Sequence, residues 1–189
     1  MPFPRQVTAE GILVRAREQL EQSGPDGASL ASIAAALRVR PPSLYRYYPS
    51  RTALIRAINT LTVREHIEAM ERAAGQVDDA ETRLLYAARA FRDYAHAWPA
   101  SVLLAYGSSD PALQAAAAEA EQRVLPLQAI VAEVAGAQDS LTGLRGLFAI
   151  CFGFVALELN GVFRRGGDLA QAYEDAVRMY ISGLRRRGG

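Results

Sequence analysis

Apolar residues recur along most of this chain at spacings of three and four, interrupted by Pro, Gly, Asp and Ser, and few stretches alternate as a strand would. The pattern predicts an all-α protein of about nine helices. Thr8 can cap a first helix whose face is Ile12, Leu13, Ala16 and Leu20 and which ends at Ser23, Gly24 and Pro25. Ser29 caps a second, with Leu30, Ile33, Ala34 and Leu37 at i, i+3, i+4 and i+7. Arg38, Val39 and Arg40 break that pattern. Pro41 suits the first position of a short third helix reaching Tyr47, Pro49 stops it, and Ser50 caps a fourth in which Leu54, Ile58 and Leu61 lead toward Ala74.

Beyond Gly75 the predicted helices lengthen: 79–98, a short one after Pro99, one capped by Asp110 with Pro111 at its first position and kinked or split at Pro126, then 141–162 and 169–184. Arg164, Arg165, Gly166 and Gly167 separate the last two. The alanines at 115–118 read as helix and residues 185–189 as a frayed tail. The charge-free apolar run 146–157 has twelve residues, where a membrane span needs about 18, and the N-terminus lacks an apolar targeting segment. Cys151 is the only cysteine, so an intrachain disulfide is excluded. His66 and His96 have no carboxylate or cysteine at ligand spacing, so no metal or other cofactor is expected. The expectation is a cytoplasmic protein with no membrane partner.

Composition changes this picture in one respect. The chain of 189 residues has 21 basic and 20 acidic side chains, a net charge of +1. All the basic residues are arginine. Residues 1–60 hold 8 arginines and 4 acids, whereas Ser29 to Thr60 holds Arg38, Arg40, Arg46, Arg51 and Arg56 and no acid at all. Such a stretch suits a polyanion. It coincides with LASIAAALRVRPPSLYRYY at 30–48, which has the spacing of a helix-turn-helix: a small Ala34 where two helices cross, Leu37 and Val39 turned inward, and Leu44 anchoring the second helix. The opposite face then offers Arg40, Pro42, Ser43, Tyr45, Arg46 and Tyr47 to a major groove, with Tyr48 directed to the core.

On Ser29, Leu30, Ile33, Ala34, Leu37, Leu44, Tyr45, Tyr47, Tyr48, Ser50, Arg51 and Leu54 the sequence resembles the TetR family of bacterial regulators over Thr8 to Ala57, about a quarter of the chain. FGFVALELNGVF at 152–163 looks like the penultimate helix of one group of TetR-type C-terminal domains. The resemblance implies phosphate contacts for Ser29 and Arg51, both at helix N-termini, base-edge contacts for Arg40, Pro41, Pro42 and Ser43, and base or backbone contacts for Tyr45, Arg46 and Tyr47. Two positions depart from the family pattern. Arg38 stands where glycine is usual, and Arg40 where a serine cap is usual.

The implied organisation is a DNA-binding domain at 1–58 and a ligand-binding, dimerising domain at 59–189. The implied activity is that of a ligand-responsive repressor, a homodimer on a palindromic double-stranded operator, released by a small-molecule effector. The helix 141–162, apolar nearly all round, is expected to pair with 169–184 in a second copy, with Gly146 and Gly153 permitting close approach. Among the aromatics of the second half, Phe91, Tyr94, Trp98, Phe148 and Phe152, together with Leu103, are the expected lining of an apolar or aromatic effector site. No catalytic set is identifiable. The rival readings are an architectural DNA-binding protein without effector, and a helical enzyme whose basic segment holds a phosphorylated substrate.

Overall fold

The computed structural model describes residues 8–27, 29–115 and 117–188, the side chains of 26, 117–119 and 186–188 excepted. These residues form ten α-helices: α1 (Ala9–Gly27), α2 (Leu30–Leu37), α3 (Pro42–Tyr45), α4 (Arg51–Ala74), α5 (Ala80–Ala97), α6 (Pro99–Gly107), α7 (Ala117–Arg123), α8 (Leu125–Ala135), α9 (Ser140–Leu159) and α10 (Leu169–Gly188). The all-α class is as expected. α10 includes Arg185 to Gly188, the stretch read as a tail; Gly189 lies outside the described residues. Two compact units divide the chain, one comprising the chain up to Val63 together with Trp98–Ala117, the other Arg64–Ala97 and Ala118 onward. The first unit thus takes in α6, a segment that the sequence reading had grouped with the second half.

In the first unit Ile12, Ala16 and Leu20 of α1, Leu30, Ile33 and Ala34 of α2, Leu44 of α3 and Leu54, Ile55 and Ile58 of α4 make one buried cluster. α1 bends at Gly24, whose φ of 70° interrupts the helical path just before Pro25. Ser29 caps α2 reciprocally: its hydroxyl accepts the Ser32 N–H at 3.0 Å while the Ser32 hydroxyl accepts the Ser29 N–H at 3.1 Å. α6 is tied in by charge. The Glu21 carboxylate of α1 accepts the N–H groups of Ala100 and Ser101 at 2.9 and 2.8 Å, capping α6 where its dipole favours an anion. The Arg17 guanidinium lies 4.0 Å over the Trp98 ring. Beyond α6 the expected helix at Pro111 is only a turn, in which the Asp110 carboxylate accepts the Ala112 N–H at 2.9 Å, and helical structure resumes at Ala117. That turn gives its carbonyls to α4: Arg56 Nε donates to Ala112 at 2.9 Å and Asn59 Nδ2 to Leu113 at 2.6 Å.

Arg38 closes α2 in the left-handed region, at φ 56° and ψ 40°, and the Val39 N–H reaches back to the Ala34 carbonyl at 3.0 Å. An L side chain in this conformation costs roughly 1–2 kcal/mol, part of which returns through the lower entropy of the unfolded chain. Arg38→Gly is therefore expected to stabilise the protein by about 0.5–1 kcal/mol, a rise in melting temperature of about 2 °C measurable by calorimetry.

In the second unit α9 packs against α5, α8 and α10. The stretch Ala137–Leu159 is, by length and composition, long and apolar enough to cross a membrane, which the charge-free run of twelve had not suggested. Its Glu158 is held bidentately by Arg92, with Nε 3.0 Å from Oε2, and also by His96 at 3.2 Å. The guanidinium keeps the Glu158 carboxyl below its ordinary pKa. Gly146 proves to serve the chain's own packing. A Cβ there would meet the Tyr180 hydroxyl, which donates to the Gly143 carbonyl at 3.1 Å, whereas a Cβ on Gly153 would meet nothing.

His66 on α4 is wholly buried, stacked on Tyr94 at 4.7 Å and against Phe91 at 4.2 Å, with Nε2 3.0 Å from the Phe91 carbonyl oxygen. Burial pushes its pKa down to about 4, outweighing the carbonyl, which raises it. The unfolded chain takes up that proton near 6.5, so stability is complete above about pH 6.5 and falls as the pH drops toward 4. This one residue should remove about 2–3 kcal/mol by pH 4.5. Thermal melts of the protein and of His66→Gln should diverge at pH 7 and 4.5, the variant losing less on acidification.

Candidate nucleic-acid interface and effector cavity

α3 is a single turn of four residues, shorter than the sequence reading that carried it to Tyr47. The N–H groups of Ser43 and Leu44 bond back to the carbonyls of Arg40 and Pro41, both at 2.9 Å, so Pro41 opens the turn with no side-chain cap. Leu44 is fully buried against α1, α2 and α4, with Leu37 and Val39 packed beside it as expected. The side chains around that anchor are on the surface: Arg40, Pro41, Pro42, Ser43 and Arg46 are exposed, and Tyr45 is 51% exposed.

Tyr47 is half-buried on the core, and its hydroxyl accepts from Arg46 Nη2 at 3.0 Å. Arg46 also lies 5.0 Å over its ring, so the two form one cationic, amphipathic group. Tyr48 is a core residue, as expected: its ring packs on the cluster, its hydroxyl donates to the Ala9 carbonyl at 3.1 Å, and burial raises its pKa. Arg51, exposed at the start of α4, donates to the Pro25 carbonyl, and the Ser29 hydroxyl serves its own helix. The acid-free stretch thus becomes a surface bearing guanidinium, hydroxyl and phenol groups with no carboxylate from its own segment.

The second unit holds a partly open cavity of about 300 Å³. Its walls include Leu84, Phe91, Leu127, Leu144, Leu147 and Phe148, with Glu121 and Arg145 exposed at the margin. Of the expected lining residues it unites Phe91 and Phe148, whose rings meet edge to face at 6.0 Å. Phe152 stacks behind Phe148 at 5.8 Å instead of facing the void. The Tyr94 hydroxyl turns to Glu65 at 3.0 Å, and Trp98 and Leu103 belong to the first unit. Met70, Leu84, Leu127 and Leu144 were missed, because helical spacing marks an inward face without showing where facing helices leave a gap. Cys151 also lines the cavity, its thiol pushed up to about 11 by burial, which makes it an inert wall atom.

Comparison with known proteins matches the model of bacterial regulatory proteins of the tetR family over residues 12–58 and that of the tetracyclin repressor-like C-terminal domain over residues 84–180. The chain belongs to the TetR family. It is a helix-turn-helix transcriptional regulator of a non-enzymatic family. A curated relative, the uncharacterized HTH-type transcriptional regulator Rv0681 of Mycobacterium tuberculosis, is 30% identical, the match covering 97% of this chain and 84% of the relative. Among solved structures, a protein of unknown function from Rhodococcus sp. RHA1 superposes with a TM-score of 0.83 at 25% identity, over 98% of this chain and 99% of that one. TetR-Q116A from Acinetobacter baumannii AYE, in complex with minocycline, shares the fold with a TM-score of 0.73 at 17% identity, over 97% and 99% of the two chains.

Proposed function

We propose that this TetR-family regulator is a cytoplasmic repressor that binds a palindromic operator as a homodimer and is released by a small apolar or aromatic effector. The observation that carries the DNA reading is the acid-free face around Leu44, where Arg40, Pro41, Pro42, Ser43, Tyr45 and Arg46 stand outward from a buried anchor. Ser29 and Arg51 flank it at the starts of α2 and α4, where phosphates are favoured. Tyr47 supports Arg46 from behind.

Dimerisation is supported by α9 and α10. Only 28% of the apolar stretch through α9 is buried within one chain, Ala149, Gly153 and Ala156 form a small-residue track along α9, and α10 leaves Met179, an apolar side chain 70% exposed, uncovered. A second copy covering them would make a four-helix interface. The effector reading rests on the apolar cavity, which has no buried charged group to hold an ionic ligand, and on a fold that in the Acinetobacter protein accompanies minocycline.

Footprinting tests the whole reading. Protection of two half-sites about one helical turn apart, lost when an apolar effector is added, is the expected result. Protection without sequence preference would leave an architectural protein, and a monomer by light scattering at micromolar concentration would remove the dimer.

A further inference from the structure

Where the chain turns from α9 into α10 the second unit carries a groove of about 520 Å³, walled by Phe154, Val162, Phe163, Leu169 and Ala172. It shares no residue with the interior cavity. Val162 and Phe163 are 53% and 37% exposed. These are fixed walls: the Phe163 ring lies 4.9 Å from Phe154, which meets the buried Tyr173 edge-on at 5.4 Å. The N–H groups of Gly161 and Val162 bond back to Glu158 and Leu157, both at 2.9 Å, and Gly161 and Gly167 hold φ values of 65° and 134° that side chains resist.

Arg164 and Arg165 line the same groove, exposed, and neither makes an ion pair or hydrogen bond among the described residues. The acids nearest in sequence are already engaged. Glu158 is held by Arg92 and His96, Asp168 caps α10 through the N–H groups of Ala170 and Gln171, and Glu174 lies between Arg89 and Arg178. Asp175 accepts from the Gln171 amide. Two guanidinium groups with no carboxylate in contact among the described residues therefore stand beside an aromatic and aliphatic trough. A neutral apolar molecule would leave the charges unused, and a polyanion would leave the walls in water; a compact molecule with an apolar body and one anionic head uses both.

We infer that the groove between Phe154 and Ala172 is a binding site for a small amphipathic organic anion, its apolar body against Phe154 and Phe163 and its carboxylate or sulfonate on Arg164 and Arg165. The site stands whether or not the interior cavity takes an effector. Its occupant is selected by charge, unlike that of the cavity.

The test is calorimetric titration of the full-length protein with decanoate, decanol and decylamine, repeated on Arg164→Gln/Arg165→Gln and on Phe163→Ser. All three substituted residues are exposed, and circular dichroism checks their folds. Decanoate should bind about fivefold or more tightly than its neutral and cationic analogues, and added salt should narrow the gap. The double variant should lose that preference while keeping its affinity for decanol, and Phe163→Ser should weaken decanoate binding too. Unchanged decanoate affinity in the double variant, equal affinity for the three probes, or no binding would overturn the inference. So would a double variant that binds decanoate normally but has changed oligomeric state or operator affinity, which would assign the arginines to a second copy or to DNA.

Discussion

Replacing Tyr45 and Arg46 together by alanine is expected to weaken operator binding by about two orders of magnitude while leaving the thermal unfolding curve in place. Both side chains are exposed, and the contacts Arg46 gives up within the chain are those to Tyr47. A well-placed arginine on a base edge contributes about 1–3 kcal/mol of discrimination, and a phenol donating to a phosphate oxygen adds a charge-assisted hydrogen bond of about 1.5–3 kcal/mol. Nothing in the second unit is altered, so affinity for an effector in the DNA-free protein should not move. Fluorescence anisotropy with a palindromic duplex measures the first quantity and calorimetry the second. A loss below about fivefold would place the reading surface elsewhere.

Leu44→Ala should also weaken operator binding strongly, by the opposite route. A helix of four residues has almost no stability of its own, and α3 lacks a side-chain cap, so its position depends on the one side chain it buries. Truncating a fully buried leucine typically costs 2–5 kcal/mol, which here corresponds to a melting temperature lower by on the order of 10 °C. No DNA-facing group is removed. DNA binding and melting temperature should therefore fall together in this variant and separate in the double variant, and Leu44→Met, which nearly conserves volume, should recover most of both.

What could be read ahead of the coordinates was whatever the chain decides locally. Ser29 announced a helix start as a serine just ahead of the apolar pattern, and Leu30, Ile33, Ala34 and Leu44 reached the core their spacing implied. Arg38 stood out because the resemblance puts glycine there, and it does adopt the left-handed conformation that glycine favours. Contacts between distant segments were not legible. Gly146 invited the thought of a second copy, yet Tyr180, far along the chain, fills the space it leaves. Phe91 and Phe148 could not be told from Trp98 and Leu103 as cavity walls, since all four carry the same apolar signal and only the packing of whole helices separates them. Nothing in the sequence around Glu21 marks it as the residue that caps α6.

That last contact bears on how such regulators can be recombined. A gene fragment ending at Val63 would contain the entire helix-turn-helix and still be an incomplete module: Glu21 would face water instead of a helix end, Arg17 would lose its indole, and the Asn59 amide would lose its carbonyl acceptor. The inheritable unit of DNA recognition is therefore written in two separated stretches of coding sequence, the first up to Val63 and the second Trp98–Ala117. A chimera that exchanges operator preference between two regulators of this architecture should graft both stretches. A single crossover in α4 would join a reading head to a foreign α6 that its own α1 never evolved to cap.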